Sequence, residues 1–220
     1  MNYIKLFEQY NKKQLETVIL YHGSKSKFDE FDDDKISTGS GGDLFGKGYY
    51  FTDNIEIAQY YGKDAAKRDF IKDYKDGILG SYEPVFSDDA DEKAQKMVNV
   101  NIFKISGYIL DHSTFIIDDD FKEYIIKSYI KHSRYSEKSA RQIADTIFDA
   151  LKNSKHLINK FRGELEYVII QLGDKIIPDM VDYIKKLGYD GIKYTSNTDV
   201  EKITGSNYII FNKKVIHKIK

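Results

Sequence analysis

The sequence contains no cysteine and no tryptophan, only two prolines, and no long apolar run. The lack of cysteine excludes thiol nucleophiles, disulfide bonds and cysteine-ligated zinc. No stretch has the about 18 consecutive apolar residues of a membrane-spanning helix, and the charged amino terminus is unlike a signal peptide. We therefore expect a cytoplasmic protein that makes no membrane contact.

An excess of charge of either sign is also missing. The 34 Lys and Arg side chains nearly balance the 35 Asp and Glu side chains, which leaves a formal net charge of −1. Such a balance creates no long-range field that would gather nucleic acid or a membrane surface. The 220 residues are enough for one sizeable hydrophobic core, so we expect a single domain over residues 1–220.

The spacing of apolar residues predicts a chain of the α+β class. Helices are predicted over 2–15, from 55 onward behind a cap at Asp53 or Asn54, and from Pro178 to a stop at Gly188. Short strands are predicted over 18–21, 49–52, 98–109, 208–211 and 215–219. The charged, glycine-broken stretch 73–96 is typical of a surface insertion, and the helical patterning of about 113–172 indicates a helical insert.

The five histidines show no metal-binding spacing, so we expect no metal site. Four of them lie in charged sequence, in a predicted turn, or in a strand where they alternate with apolar residues. His22 differs, because it stands where an apolar strand meets Gly23. That position is suited to holding an imidazole at the rim of a cleft.

A glycine-rich loop and two tyrosines follow. Residues 31–48 contain neither the Walker pattern nor the dinucleotide-binding pattern, so the loop alone indicates only flexibility. Tyr50 closes the strand after this loop, and Tyr61 lies eleven residues further along. If the helix folds back beside its strand, the two rings form a slot for a flat heteroaromatic ring. The alternative is that both are ordinary core or rim tyrosines.

Four segments resemble motifs of one enzyme family. They are YHGS from Tyr21, LFGKGYYFTDN from Leu44, the pair Tyr50 and Tyr61, and SNYIIFN from Ser206. Their order and spacing resemble ADP-ribosyltransferases of the diphtheria-toxin and poly(ADP-ribose) polymerase type, and the small bacterial and phage members most. The resemblance covers about residues 17–62, 97–112 and 178–219. It implies two packed small antiparallel sheets that form a cleft for NAD.

The resemblance assigns roles to particular residues, with NAD as the substrate. His22 would hydrogen-bond a ribose hydroxyl of NAD, and Gly23 would pair through its backbone with the nicotinamide amide. Tyr50 and Tyr61 would enclose the nicotinamide ring. Ser24, together with Gly46 and Gly48 of the glycine-rich loop, completes the expected NAD-binding set.

The segment near the carboxyl end departs from the family pattern. Where the family has a catalytic glutamate, this chain has Asn207, which accepts a hydrogen bond but carries no charge. Losing such an electrostatic contact typically costs about 10²–10³ in rate. A carboxylate on the preceding loop, from Glu201 or Asp199, could compensate. Residues 166–170 spell the family motif more closely, but they precede the turn that the family's strand follows, so we interpret them as helix.

The resemblance thus predicts a mono-ADP-ribosyltransferase, toxin-like in type, that releases nicotinamide and transfers ADP-ribose to a macromolecular acceptor, protein rather than nucleic acid. An antitoxin or immunity partner would fit such a protein. Two alternatives remain open: a catalytically impaired module that binds NAD or ADP-ribose, and an NAD glycohydrolase.

Overall fold

The computed structural model describes residues 13–36, 45–75, 88–115, 117–153, 164–197 and 203–219. Its strands are β1 Leu15–Ser24, β2 Tyr49–Thr52, β3 Asn99–Asp111, β4 Gly191–Asn197, β5 Thr204–Ile210 and β6 Ile216–Lys218. Its helices are α1 Ile55–Lys75, α2 Asp88–Met97, α3 Asp119–His132, α4 Glu137–Asn153, α5 Glu164–Leu172 and α6 Ile177–Lys186. The structure is therefore mixed, with a sheet and helices, in agreement with the α+β class.

The six strands are hydrogen-bonded in the order β1-β2-β5-β4-β3-β6, with an additional pairing between β1 and β3. β2 runs antiparallel to both β1 and β5. β3 runs antiparallel to β6 but parallel to β4. The expectation of two small sheets that are purely antiparallel is therefore wrong for the described strands, which join in one sheet that includes a parallel pair. A strand pair separated by the helices of residues 119–186 can run parallel because the long connection returns the chain to the same end.

By their contacts, the described residues divide into two compact units. The first unit comprises 13–16, 45–47, 107–115, 117–153 and 164–194, and its core side chains come mainly from α3 to α6. Its turn over 188–191 is anchored to β3, because the Tyr108 N–H donates to Asp190 Oδ2 at 2.9 Å. The second unit comprises 17–36, 48–75, 88–106, 195–197 and 203–219, and its core includes Leu20, Phe51, Ile57 and Phe103. That the chain is a single domain stays a prediction.

The predicted elements agree with the structure except at two places. Residues 1–12 of the predicted amino-terminal helix lie outside the described residues, and its end is wrong because Leu15 already begins β1. The predicted surface insertion 73–96 ends in α2, whose Ala94 is buried, and residues 76–87 lie outside the described part. Within 113–172 the described residues form α3, α4 and α5, in agreement with the helical patterning, whereas residues 154–163 lie outside the described part; residues 166–170 are helical as expected.

The cap of α1 follows the local sequence. The Asn54 side chain accepts a hydrogen bond from the Glu56 N–H at 2.8 Å, which satisfies one of the free donors of the first turn. Asp53 instead joins this turn to β5, because its carboxylate accepts from the Ser206 N–H at 2.7 Å. The start of the helix is thereby attached to the strand that carries Asn207.

None of the described helices is both long enough and apolar enough to cross a membrane.

Candidate active site

The register of β1, β2 and β5 sorts the candidate residues between two faces. Tyr21 pairs with Thr52, and Thr52 pairs with Asn207. Because paired residues share a face and neighbours in a strand alternate, Gly23, Tyr50 and Asn207 lie on one side and His22 on the other. We call the side with Gly23, Tyr50 and Asn207 the helix face, and the opposite side the phenylalanine face.

Helix α1 covers the helix face at two glycines. A Cβ atom on Gly23 would lie 1.7 Å from the Ala58 carbonyl oxygen and 2.8 Å from the Gly62 nitrogen. A Cβ on Gly205 would lie 2.8 Å from Ile57 Cδ1. The glycine beside His22 is therefore required by the close approach of α1, a reason that the sequence alone did not indicate. Its expected backbone contact with nicotinamide stays a prediction.

Asn207 is the unusual residue of the helix face. It is only 6% exposed, and its Oδ1 is buried without a hydrogen-bond partner among the described residues. Its paired neighbour Thr52 is fully engaged, donating to the Ser206 carbonyl at 3.0 Å and accepting from the Asn54 N–H at 3.2 Å. Leaving a buried acceptor unpaired costs about 1–3 kcal/mol, so Oδ1 is a desolvated site ready for a hydrogen-bond donor.

The two tyrosines belong to elements that border the same face. Tyr50 is half-buried in β2, where it pairs with Ile209 of β5. Tyr61 is half-buried in α1, next to the Gly62 that approaches Gly23, and its ring meets the Tyr60 ring edge-on at 5.7 Å. Gly23, Tyr50, Asn207 and the helix of Tyr61 are thus gathered at one face. A slot between the two phenol rings stays a prediction.

His22 lies among aromatic rings on the phenylalanine face. Its ring centroid is 5.5 Å from that of Phe28, 5.0 Å from that of Phe31 and 6.0 Å from that of Phe51, all edge-on. These three ring contacts restrict the orientation of the imidazole more than a position at an exposed cleft rim would. Phe28 and Phe31 were not among the candidate site residues, although two phenylalanines soon after the histidine in an otherwise polar stretch were a signal that could have found them.

The hydrogen bond of His22 determines which nitrogen is available to a ligand. Nδ1 lies 2.7 Å from the Tyr50 carbonyl oxygen, and since a carbonyl only accepts, Nδ1 carries the proton. Burial lowers the pKa of His22, and the positive charge of Lys218 lowers it further, while the bond to Tyr50 acts in the opposite direction. The imidazole is therefore neutral at physiological pH, with a lone pair on Nε2. That nitrogen can accept a hydrogen bond from a hydroxyl group.

The other candidates are placed differently. The Ser24 hydroxyl donates to the Ser26 carbonyl and accepts from Asn101 Nδ2 at 3.1 Å, so local contacts already engage it. Gly48 packs tightly, because a Cβ there would lie 2.4 Å from Ile209 Cγ1. Gly46 has a positive φ of 71° and belongs to the first unit. Glu201 and residues 37–44 of the glycine-rich loop lie outside the described residues.

Within the described ranges, no group of three or more His, Asp and Glu side chains is arranged to hold a metal ion.

Compared with protein-family models, with curated proteins and with solved structures, the chain gives no match. The candidate site therefore depends on the motif resemblance and on its own geometry.

Proposed function

We propose that this protein is a mono-ADP-ribosyltransferase that uses NAD as its substrate and modifies a macromolecular acceptor, a protein in preference to a nucleic acid. The observation that carries the proposal is the buried Oδ1 of Asn207 on the helix face, which has no hydrogen-bond partner among the described residues. It lies on the same face as Gly23 and Tyr50, which the motif resemblance independently assigns to the nicotinamide end. A protein with no ligand at this face would gain stability by replacing the orphaned amide with an apolar side chain.

The residues present suit NAD. Asn207 Oδ1 would accept a hydrogen bond from a hydroxyl of the nicotinamide ribose, and the Gly23 backbone would bind the carboxamide. In the transfer, the bond between ribose C1′ and the nicotinamide nitrogen breaks, nicotinamide leaves as a neutral molecule, and an acceptor nucleophile bonds to C1′ and loses its proton. The carbonyl dipole of Asn207 would stabilise the positive charge that develops on the ribose, less strongly than a carboxylate would.

The neutral amide of Asn207 predicts that NAD is cleaved slowly. Asn207→Glu should raise the rate of NAD cleavage, by up to the about 10²–10³ that one such electrostatic contact supplies. The matched control is Asn207→Gln, which has the length of glutamate without its charge. If both variants cleave NAD at the wild-type rate, Asn207 does not occupy the position of the family's glutamate.

The same asparagine favours one alternative, a module of this fold that binds NAD or ADP-ribose without turning it over. Incubation with NAD labelled in the adenosine part, in the presence of a cell lysate, separates the possibilities. Label on protein supports the transferase. Label on nucleic acid would support the transferase activity but would show that the acceptor is a nucleic acid and not a protein. Tight binding without turnover supports the binding module, and free ADP-ribose without a labelled target indicates a glycohydrolase. No binding of NAD at all would contradict the proposal.

A further inference from the structure

Lys218 of β6 is a cation held beside the His22 cluster. Its Nζ lies 4.8 Å from the centroid of the Phe103 ring and 5.7 Å from that of Phe28. It donates one hydrogen bond, at 2.9 Å, to Oδ1 of the buried Asn101. Phe28 also contacts the His22 ring, so Lys218 and His22 adjoin the same phenyl group.

The ammonium group of Lys218 has no carboxylate partner among the described residues. It is half-buried, and this burial lowers the pKa of Lys218. Of the nearby charges, Asp29 favours the charged lysine and Lys27 disfavours it. A cation that is partly desolvated and has no described carboxylate in ion-pair contact loses hydration without full compensation. An anionic ligand would provide that compensation.

Asn101 fixes the position of the ammonium. Its Oδ1 accepts from both Lys218 Nζ and the Phe28 N–H, and its Nδ2 donates to the Ser24 hydroxyl and the Ser26 carbonyl. With all four contacts made by one buried side chain, the lysine is held in place before a ligand arrives. Two of its three N–H donors remain available to an anion.

We propose that Lys218 binds phosphate oxygens of the NAD diphosphate on the phenylalanine face. The chemistry of its neighbour supports this ligand class, because His22 Nε2 accepts from a hydroxyl while an ammonium donates to an anion. A ribosyl phosphate offers both groups a few bonds apart. This assignment rests on the proposed function for the identity of the ligand, but the anion contact can be tested separately.

The test measures binding to wild-type protein and to three variants by titration calorimetry. Lys218→Met keeps the aliphatic packing on the rings and removes the charge, whereas Lys218→Arg keeps the charge. Lys104→Met is the matched control, because Lys104 is exposed on the neighbouring strand β3, where it pairs with His217. The probes are NAD, inorganic pyrophosphate and a short single-stranded RNA. Thermal melting of each variant shows that it is folded.

We expect Lys218→Met to weaken NAD binding about 10- to 100-fold, as the loss of a charge-assisted hydrogen bond predicts. Lys218→Arg should restore most of the affinity, Lys104→Met should match wild type, and pyrophosphate should compete with NAD. NAD binding that is equal in wild type and Lys218→Met overturns the inference and leaves the proposed function standing. Pyrophosphate binding that depends on Lys218, without NAD binding, supports the anion contact and contradicts the proposed function.

Two further outcomes overturn the inference. One is that wild type binds neither NAD nor pyrophosphate, in which case the proposed function also fails. The other is that Lys218→Met weakens the binding of RNA but not of NAD, which would assign the cation to a nucleic-acid backbone. If Lys218→Met does not fold, the competition experiment on wild-type protein decides instead. The inference is then overturned if pyrophosphate does not compete with NAD.

Discussion

Two buried asparagines in the second unit should respond to the same substitution with opposite signs. In the described part of the chain, Asn207 Oδ1 has no hydrogen-bond partner, whereas both polar side-chain atoms of Asn101 are hydrogen-bonded. Leucine has the same number and branching of side-chain heavy atoms as asparagine and no polar atoms, so Asn207→Leu removes an unpaired acceptor while it keeps the branched shape, although its methyl groups are bulkier. Asn101→Leu instead removes four hydrogen bonds, including the acceptor of the Lys218 ammonium and of the Phe28 N–H.

The magnitudes follow from the cost of unpaired polar groups. Removing the desolvated acceptor should raise the free energy of unfolding by about 1–2 kcal/mol, within the range of about 1–3 kcal/mol for a buried unsatisfied group. Asn101→Leu should lower it by about 2–4 kcal/mol, because each lost hydrogen bond contributes about 1 kcal/mol and the Lys218 ammonium loses its acceptor. The two variants should therefore differ by several kcal/mol although the chemical change is identical.

Urea-induced unfolding, followed by circular dichroism at 222 nm, measures both free energies by linear extrapolation. Both substitutions lie in the second unit, so the same transition is compared. NAD binding is measured on the same samples, and Asn207→Leu should lose it despite the gain in stability. A destabilised Asn207→Leu would refute the reasoning, because it would mean that Oδ1 has a partner in the folded protein.

Two other predictions concern β1. Gly23→Ala should destabilise the folded protein by about 3 kcal/mol or more, because the new Cβ would collide with the backbone of α1. Gly62→Ala should stay within about 1 kcal/mol of wild type, because the better helix propensity of alanine offsets contacts of 3.1–3.2 Å. Equal melting temperatures for the two variants would contradict the packing of α1 on Gly23. Because the pKa of His22 is lowered in the fold, the folded state binds fewer protons, so the free energy of unfolding should fall as the pH drops below about 6.5. His22→Gln should flatten this dependence between pH 7.5 and 5, and an unchanged slope would argue against a buried neutral imidazole.

Local patterns predicted most of the secondary structure because they report on one chain segment at a time. The strand of residues 49–52 and the helix after Asn54 follow from apolar spacing and a capping side chain, and both were found where expected. The parallel pairing of β3 with β4 was missed. Which strands become neighbours depends on how the helices of residues 119–186 pack, and no local pattern encodes that.

The sequence indicated candidate site residues but not their arrangement in the fold. His22, Tyr50 and Asn207 were identified by motif, but a motif does not say on which face of a sheet a side chain lies. The role of Gly23 was also incomplete, because contact with the backbone of α1 requires the three-dimensional structure. Asn101 and Lys218 were not identified, because an isolated asparagine and a lysine in a basic carboxyl-terminal segment resemble ordinary surface residues.

The separation of His22 from Asn207 restricts which ligand can use both. A ligand with one ribose cannot place its hydroxyls on both faces of β1, β2 and β5, whereas NAD has two ribose units joined by a diphosphate. We therefore expect His22→Gln to weaken the binding of NAD about tenfold while changing the affinity for nicotinamide mononucleotide little. Asn207→Leu should weaken the binding of both. Calorimetric titration of both ligands checks this, and an equal loss of both in His22→Gln would mean that the histidine contacts the nicotinamide ribose, which would contradict a ligand divided between the faces.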